Sequence, residues 1–285
     1  MTDHPKPPFP KQQQPVPGTT AQMDPKPDHG EQTYRGNKLL EGRTVLLTGG
    51  DSGIGRAVAI AYAREGADLV ISYLEEHEDA EETARWVRDA GRRVVLVPGD
   101  LTKPGACESL VQRTMDEFGR LDVLVSNAAH QRTFDKFEDI DLAEWEHTFD
   151  VNVHSMFRLC RAAVPHMRPG SAIVFTSSIN ADDPSPKLLP YATTKGTIAN
   201  FTAGLAGNLA ERGIRVNAVA PGPIWTPLIP STMPAEKVET FGKNTPMGRA
   251  GQPAELAGAY VLLASDLGSY MTGAVIAVTG GRPMI

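Results

Sequence analysis

Short aliphatic runs alternate along this chain with longer stretches of helical periodicity, and nothing else in the sequence limits its fold as much. The runs at Thr44–Thr48, Leu69–Leu74, Val94–Val97, Val123–Val125, Ala172–Thr176, Val216–Val219 and Val275–Val278 are apolar at successive positions rather than at every second one. Strands of that kind are buried on both faces, the condition of a parallel sheet covered by helices. Between them, Ile54–Glu65 carries Ile54, Val58, Ala61 and Tyr62 at helical spacing and stops at Gly66. Further helices are expected at Asp79–Ala90, about Pro104–Phe118, about Leu142–Met167, about Tyr191–Arg212 and about Pro253–Ala264. Pro104 suits a first helical turn. The alternation predicts an α/β domain: a doubly wound parallel sheet of about seven strands, right-handed crossovers, and helices on both faces. Ligands bind such sheets at the carboxyl ends of the strands, so chemistry is expected in the residues just after each strand.

With 285 residues, the chain is long enough for a sizeable core. A net charge of −6 argues against nucleic acid as a main partner. The apolar runs are too short to span a bilayer, so no membrane segment is expected. Met1 to Lys38 lacks the apolar stretch of a signal peptide. Cys107 and Cys160 form no CxxC pair, which points to free thiols in a reducing cytoplasm. Eight of the 23 prolines fall in the first 27 residues. From Met1 to Lys38 the large apolar residues are Met1, Phe9, Val16, Met23 and Tyr34, too few to offset the entropy of ordering. A disordered or loosely docked tail is expected over 1–38; the functional alternative is a Pro-rich arm that clasps a neighbouring subunit. Residues 39–285 show no linker or repeat and read as one domain.

The first strand leads into Thr48-Gly49-Gly50-Asp51-Ser52-Gly53-Ile54-Gly55 and then a helix. Glycines there let the backbone turn tightly and approach a pyrophosphate, and a helix N-terminus supplies free N–H groups. The second strand ends at Tyr73-Leu74-Glu75-Glu76, where such folds meet the adenosine ribose. No Arg or Lys lies between Ser72 and Ala84, and the loop carries Asp51. A 2′-phosphate would meet uncompensated negative charge, which favours NAD over NADP; Arg56 or Arg85 swinging in is the open alternative. Asp100 follows the third strand and Asn127-Ala128-Ala129 the fourth.

Tyr191 and Lys195 are four apart at the start of a helix, so both point the same way. A tyrosine titrates near ~10, so a phenolate at neutral pH needs roughly 4 kcal/mol of help. A neighbouring ammonium and a cationic cofactor ring act in that direction, which would make Tyr191 a general base for alcohol oxidation and a general acid for carbonyl reduction. Tyr34 and Lys38 share the spacing but lack a preceding strand. Ser178, thirteen before Tyr191, closes the fifth strand with a hydroxyl that could hold a substrate oxygen. Asn152 falls on the apolar stripe of Trp145, Phe149, Met156, Cys160 and Ala163. A buried amide needs partners, and local backbone or a core water would serve equally. The seven histidines show no metal-ligand motif, so no metal site is expected; His130 is a candidate for substrate contact.

Taken together, Thr48-Gly49-x3-Gly53-Ile54-Gly55, Asp100, Asn127-Ala128, Asn152, Ser178, Tyr191-x3-Lys195 and Pro221-Gly222 resemble the short-chain dehydrogenase/reductase family, from about Leu39 to the C-terminus. The resemblance implies a Rossmann fold, a nicotinamide cofactor, and hydride transfer between an alcohol and a carbonyl. It implies that Tyr191 is the acid/base, that Lys195 binds the nicotinamide ribose, that Ser178 orients substrate, and that Asn152 holds a water in a proton relay. It places Gly49, Asp51, Ser52, Gly53, Ile54, Gly55, Tyr73, Asp100, Leu101, Asn127, Ala128 and Ala129 around the cofactor, with Pro221, Gly222, Ile224 and Thr226 at the nicotinamide carboxamide. Ser126 and Ala129 depart from the family's Asn-Asn-Ala-Gly. The Pro-rich start and the Pro221–Pro227 stretch look like a bacterial general-stress or glucose/ribitol-dehydrogenase-like subgroup. The family's substrate loop corresponds to about 225–251, a mobile lid whose Trp225, Leu228, Ile229, Met233 and Met247 either line an apolar pocket or simply pack. The family tends to homotetramers through the helices holding Asn152 and Tyr191.

The expected function is therefore an NAD(P)-dependent oxidoreductase acting on a small or medium aldehyde, ketone, sugar or polyol. The alternative from another class is a dinucleotide-binding redox sensor or assembly protein with vestigial catalysis. A methyltransferase on the same fold leaves Ser178, Tyr191 and Lys195 unexplained.

Overall fold

The computed structural model describes residues 4–284; Met1–Asp3 and Ile285, the ends of the expected tail and domain, lie outside the described residues. Seven parallel strands, β1 (Thr44–Thr48), β2 (Asp68–Tyr73), β3 (Val94–Pro98), β4 (Val123–Ser126), β5 (Ala172–Thr176), β6 (Arg215–Pro221) and β7 (Val275–Val278), form one sheet in the order β3-β2-β1-β4-β5-β6-β7. The order reverses between β1 and β4, where Leu46 lies opposite Val70 on one side and Leu124 on the other. The helices are α1 (Gly53–Arg64), α2 (His77–Asp89), α3 (Ala106–Phe118), α4 (Leu142–Phe149), α5 (Ser155–Ala163), α6 (Leu189–Leu209), α7 (Leu228–Thr232), α8 (Ala235–Glu239) and α9 (Ala254–Ala264).

The pleat sorts the apolar runs. Val45 and Leu47 point to one face, with Val58 and Tyr62 of α1 and Leu256 and Tyr260 of α9. Leu46 points to the other, with Leu110 of α3, Leu159 of α5, and Ile198 and Leu209 of α6. Each such side chain contributes about 1.5–3 kcal/mol when fully buried. The doubly wound sheet expected from two-faced apolar runs is what forms. Helix ends shift by one to three residues, and Pro104 sits before α3 rather than in its first turn, because Gly105 takes the left-handed cap position.

Two segments differ from the sequence reading. The helix expected over Leu142–Met167 is broken by a π-helical turn at Asp150–His154. That turn shifts the phase, so α4 buries Glu144 and Thr148, while Trp145 and Phe149 are half-buried and Leu142 is exposed. Periodicity counted straight through put Asn152 on the Trp145–Met156 stripe; it is the π turn that carries its side chain inward, to 3% exposure. π turns inside helices are frequent at functional sites.

The second is the Pro-rich segment, neither disordered nor loosely docked over its described residues. Phe9 stacks on Trp225 with centroids 4.2 Å apart, and Phe9 and Met23 complete a cluster with Trp225, Ile229, Val238 and Ala250. Phe9 N donates to Glu239 O (2.8 Å), Gln14 N to Pro230 O (2.9 Å), and Trp225 Nε1 to Pro25 O (2.8 Å). Further along, Arg64 donates to the carbonyls of Gly30, Glu31 and Tyr34, and the Glu65 carboxylate accepts from Tyr34 Oη, Asn37 N and Leu39 N. The arm has little apolar surface of its own. Its burial is supplied by a nest around Trp225 distant in sequence, which composition does not register.

His29 is buried in the arm at 1% exposure, with Nδ1 2.8 Å from Glu31 Oε1 and Nε2 unpartnered. Burial lowers its pKa, opposed by the Glu31 hydrogen bond. The folded state therefore favours neutral His29, and stability falls as pH drops through the unfolded value of about 6.5. Denaturant midpoints at pH 7.5 and 5.5 should differ more in the native chain than in His29→Gln, whose amide takes up no proton. Equal pH dependence in the two would show that His29 carries no such linkage.

Candidate active site

At the switch point the first turn of α1 meets the ends of β1 and β4. Gly49 and Gly53 adopt φ of +62° and +50°, a region in which L side chains are strained. A Cβ on Gly55 would lie 1.8 Å from Gly49 O, so this close approach of helix to strand end admits glycine alone. Ser52, the N-cap of α1, makes no side-chain cap, leaving first-turn N–H groups available to an anion.

One network joins this loop to the centre. Asn127 Nδ2 donates to Thr48 O (3.2 Å) and Gly49 O (2.9 Å), while Thr48 Oγ1 accepts from Asn127 N and Ala128 N. Thr176 Oγ1 donates to Asn127 Oδ1 (3.0 Å), and Thr176 O accepts from Lys195 Nζ (2.7 Å). Lys195 is 2% exposed, and its Nζ lies 5.2 Å from the Tyr191 ring centroid. Ser178 Oγ accepts from Asn180 N (3.1 Å) and Asn180 Nδ2 (3.3 Å), so its own proton is free to point at Tyr191, with which it hydrogen-bonds.

A cavity of ≈ 770 Å³ opens above these groups. Gly49, Asp51, Ser52, Gly53 and Ile54 line it from the glycine loop, and Tyr73, Asp100 and Leu101 from the ends of β2 and β3. Asn127, Ala128, Ala129, Ser178, Tyr191 and Lys195 form its floor, and Pro221, Gly222, Ile224 and Thr226 its far side. Two expected site residues are not on its wall. Gly55 acts from behind the loop. Asn152 has both amide donors spent, on His130 O (2.9 Å) and Thr194 Oγ1 (3.0 Å), and its Oδ1 accepts from His130 N (2.7 Å). Its side chain therefore ties the π turn to the β4 loop and to α6, whatever water the site holds.

Of the lid residues, Leu228, Ile229 and Met233 line the cavity, whereas Trp225 is core and Met247 points away into a small separate cleft. Sequence reasoning missed Thr102, Gln131, Asn180, Asp183 and Arg282 on the wall. Asn180 and Thr102 were within reach of the after-strand rule, two positions beyond Ser178 and Asp100 respectively; Asp183 and Arg282 carry no local signal. Gln131 Nε2 donates to Thr232 Oγ1 (2.7 Å), latching α7 to the β4 loop. His130 Nε2 lies 2.7 Å from the buried Glu144 carboxylate.

Burial works against both charged partners. It pushes Tyr191 up to about 12, with the Ser178 hydrogen bond pulling the other way, and lowers Lys195 to about 7. Without a ligand, the expected phenolate near neutrality is therefore not what this pair provides. Asp51 is raised to about 7 by burial and by the Glu76 charge. Arg56 is not free to swing toward the ribose position: it is 3% exposed and bonded to Asp51 O (3.0 Å), Thr83 Oγ1 (3.0 Å) and Asp79 Oδ1 (2.7 Å).

A family model described as enoyl-(acyl carrier protein) reductase matches residues 49–282, so the arm lies outside the matched stretch. Over 273 residues the chain is 53% identical to an uncharacterized oxidoreductase of Bacillus subtilis, covering 96% of this chain and 94% of the relative. It is 45% identical to the glucose and ribitol dehydrogenase of Daucus carota, covering 95% and 96%. Among solved structures, a short-chain dehydrogenase from Burkholderia cenocepacia in complex with NADP superposes with a TM-score of 0.80 at 31% identity, covering 86% of this chain and 99% of that one.

Gly55→Ala tests the loop. Forcing helix and strand end apart costs about 1–3 kcal/mol, so NADH affinity should fall by about tenfold or more while far-UV circular dichroism is kept. Native affinity in the variant would show that the close approach does not shape the binding site.

Proposed function

The chain belongs to the short-chain dehydrogenase/reductase family of NAD(P)-dependent oxidoreductases, and we propose that it interconverts an alcohol and a carbonyl, with Tyr191 as the proton donor and acceptor. The observation that carries this reading is the convergence of Ser178, Tyr191 and Lys195 on the floor of one cavity, below a glycine loop with uncapped helical N–H groups. The cofactor, when bound, supplies or takes up the hydride. The chain's own residues do the rest. Ser178, held by Asn180, donates a hydrogen bond to the substrate oxygen. Tyr191 passes its proton to that oxygen in reduction and takes one from it in oxidation. Lys195, held by Thr176 O, presents its Nζ to the cofactor ribose and lowers the energy of a phenolate. Asn152 is a positioning residue that fixes His130 and α6.

The cavity is also lined by His130, Gln131, Asn180, Asp183 and Arg282, which suits a hydroxylated substrate such as a sugar, a polyol or a small aldehyde derived from one. At the adenosine end the cavity meets Asp51 and Glu76, and Arg56 is committed elsewhere, so we read the cofactor as NAD. The exposed Leu142 and Phe157, beside half-buried Trp145 and Phe149, support a homotetramer packed through α4 and α5. The buried free cysteines Cys107 and Cys160 are compatible with the cytoplasm.

Absorbance at 340 nm with both cofactors and a panel of aldehydes, ketones and polyols is the test. Tyr191→Phe should lower kcat by about 10²–10⁴ while NADH still binds. Turnover in the variant equal to the native rate would remove Tyr191 from the chemistry. The pH slopes should oppose each other: reduction falls when the phenol ionises at alkaline pH, and oxidation rises there. NADH should bind more tightly than NADPH; the reverse order would show that Asp51 and Glu76 do not set the preference.

A further inference from the structure

Resting on the dinucleotide-binding reading above, we infer that Val16 and Pro17 are part of the cofactor site, and that the clasp from Gln14 to Thr20 sets how fast the cofactor leaves. Both residues line the cavity although they belong to the arm, outside the stretch that the family model matches. The span is fastened at each end. On the lid side, Gln14 N donates to Pro230 O (2.9 Å), Ser231 Oγ donates to Pro17 O (3.2 Å), and a Cβ at Gly18 would lie 2.8 Å from Pro227 O. On the other side, Thr20 N donates to Asp79 Oδ2 (2.8 Å); Asp79 pairs with Arg56, which holds Asp51 O of the glycine loop.

The loop itself abuts the lid, since a Cβ at Gly53 would lie 3.1 Å from Thr226 Cβ. The clasp thus runs from α7 to α2 beside the loop where a diphosphate binds. Val16 is 57% exposed, an apolar side chain left open at the rim of the cavity, as a residue awaiting a ligand surface would be. The clasp is also the part of the wall most easily lifted. Gln14 Nε2 and Thr20 Oγ1 are buried without partners, and opening the clasp returns both to water. The anchors that flank it, Phe9 on Trp225 before it and Pro25 O on Trp225 Nε1 after it, lie outside the cavity. Dinucleotide release therefore requires the clasp to rise as well as the lid to move, and its effect falls on dissociation more than association.

The test uses the full chain and stopped-flow fluorescence of NADH release. Val16→Glu sets a carboxylate at the rim, and Phe9→Ala removes the distant anchor. Each should speed release by about tenfold, the effect of losing one well-seated contact, and Phe9→Tyr should restore the native rate. NADH should protect the arm from trypsin cleavage after Lys11 in the native chain and lose that protection in Phe9→Ala. If NADH binds and neither variant changes its release or the protection, the clasp inference is overturned. If neither NADH nor NADPH binds the native chain, the dinucleotide reading fails and the inference with it.

Discussion

The site depends on what happens to backbone at the ends of β1 and β4, where the chain departs in opposite directions and no neighbouring connection covers the strand ends. Asn127 answers that exposure. Its amide takes the carbonyls of Thr48 and Gly49, and its oxygen receives Thr176, whose own carbonyl holds Lys195. A single thread of hydrogen bonds therefore crosses β1, β4, β5 and α6. The glycine loop and the Tyr191–Lys195 pair are registered against one another through it, although they lie more than a hundred residues apart in sequence.

Burial is used twice, with opposite effects on paired groups. It disfavours the phenolate of Tyr191 and the ammonium of Lys195 alike, so both lean toward their neutral forms. The same logic acts at the other end of the cavity on Asp51, where Glu76 adds to the effect. A charged ligand entering between these poles changes the protonation cost at both. Arg56 shows a contrasting arrangement: a buried guanidinium bonded through Nε and Nη2 to Asp51, Thr83 and Asp79, and for that reason withdrawn from ligand contact.

Most of the sheet was legible in the sequence because strands buried on both faces leave unbroken apolar runs, and β1, β5 and β7 begin and end where those runs do. The after-strand rule found Gly49, Asp100, Asn127 and Ser178 for the same reason. Features that depend on distant partners were not legible. The π turn at Asn152 adds a residue to a helix without altering its composition. Phe9 and Met23 look too few to hold an arm until Trp225 is placed beneath them. Asp183 and Arg282 reach one cavity from segments that share no local pattern, and pair at 3.9 Å there.

The arm's position has a consequence for the order in which the molecule is made. Its contacts with Trp225 and Ser231 join residues 200 and 214 positions apart. Those two contacts thus cannot form until most of the chain has followed, whereas Asp79, Arg64 and Glu65 reach the arm much sooner. Closing loops of that length is slow, and segments held mainly by such contacts form late and open first. During synthesis the sheet can therefore assemble before the stretch from Phe9 to Pro17 closes over the cavity, so residues made early take their place late.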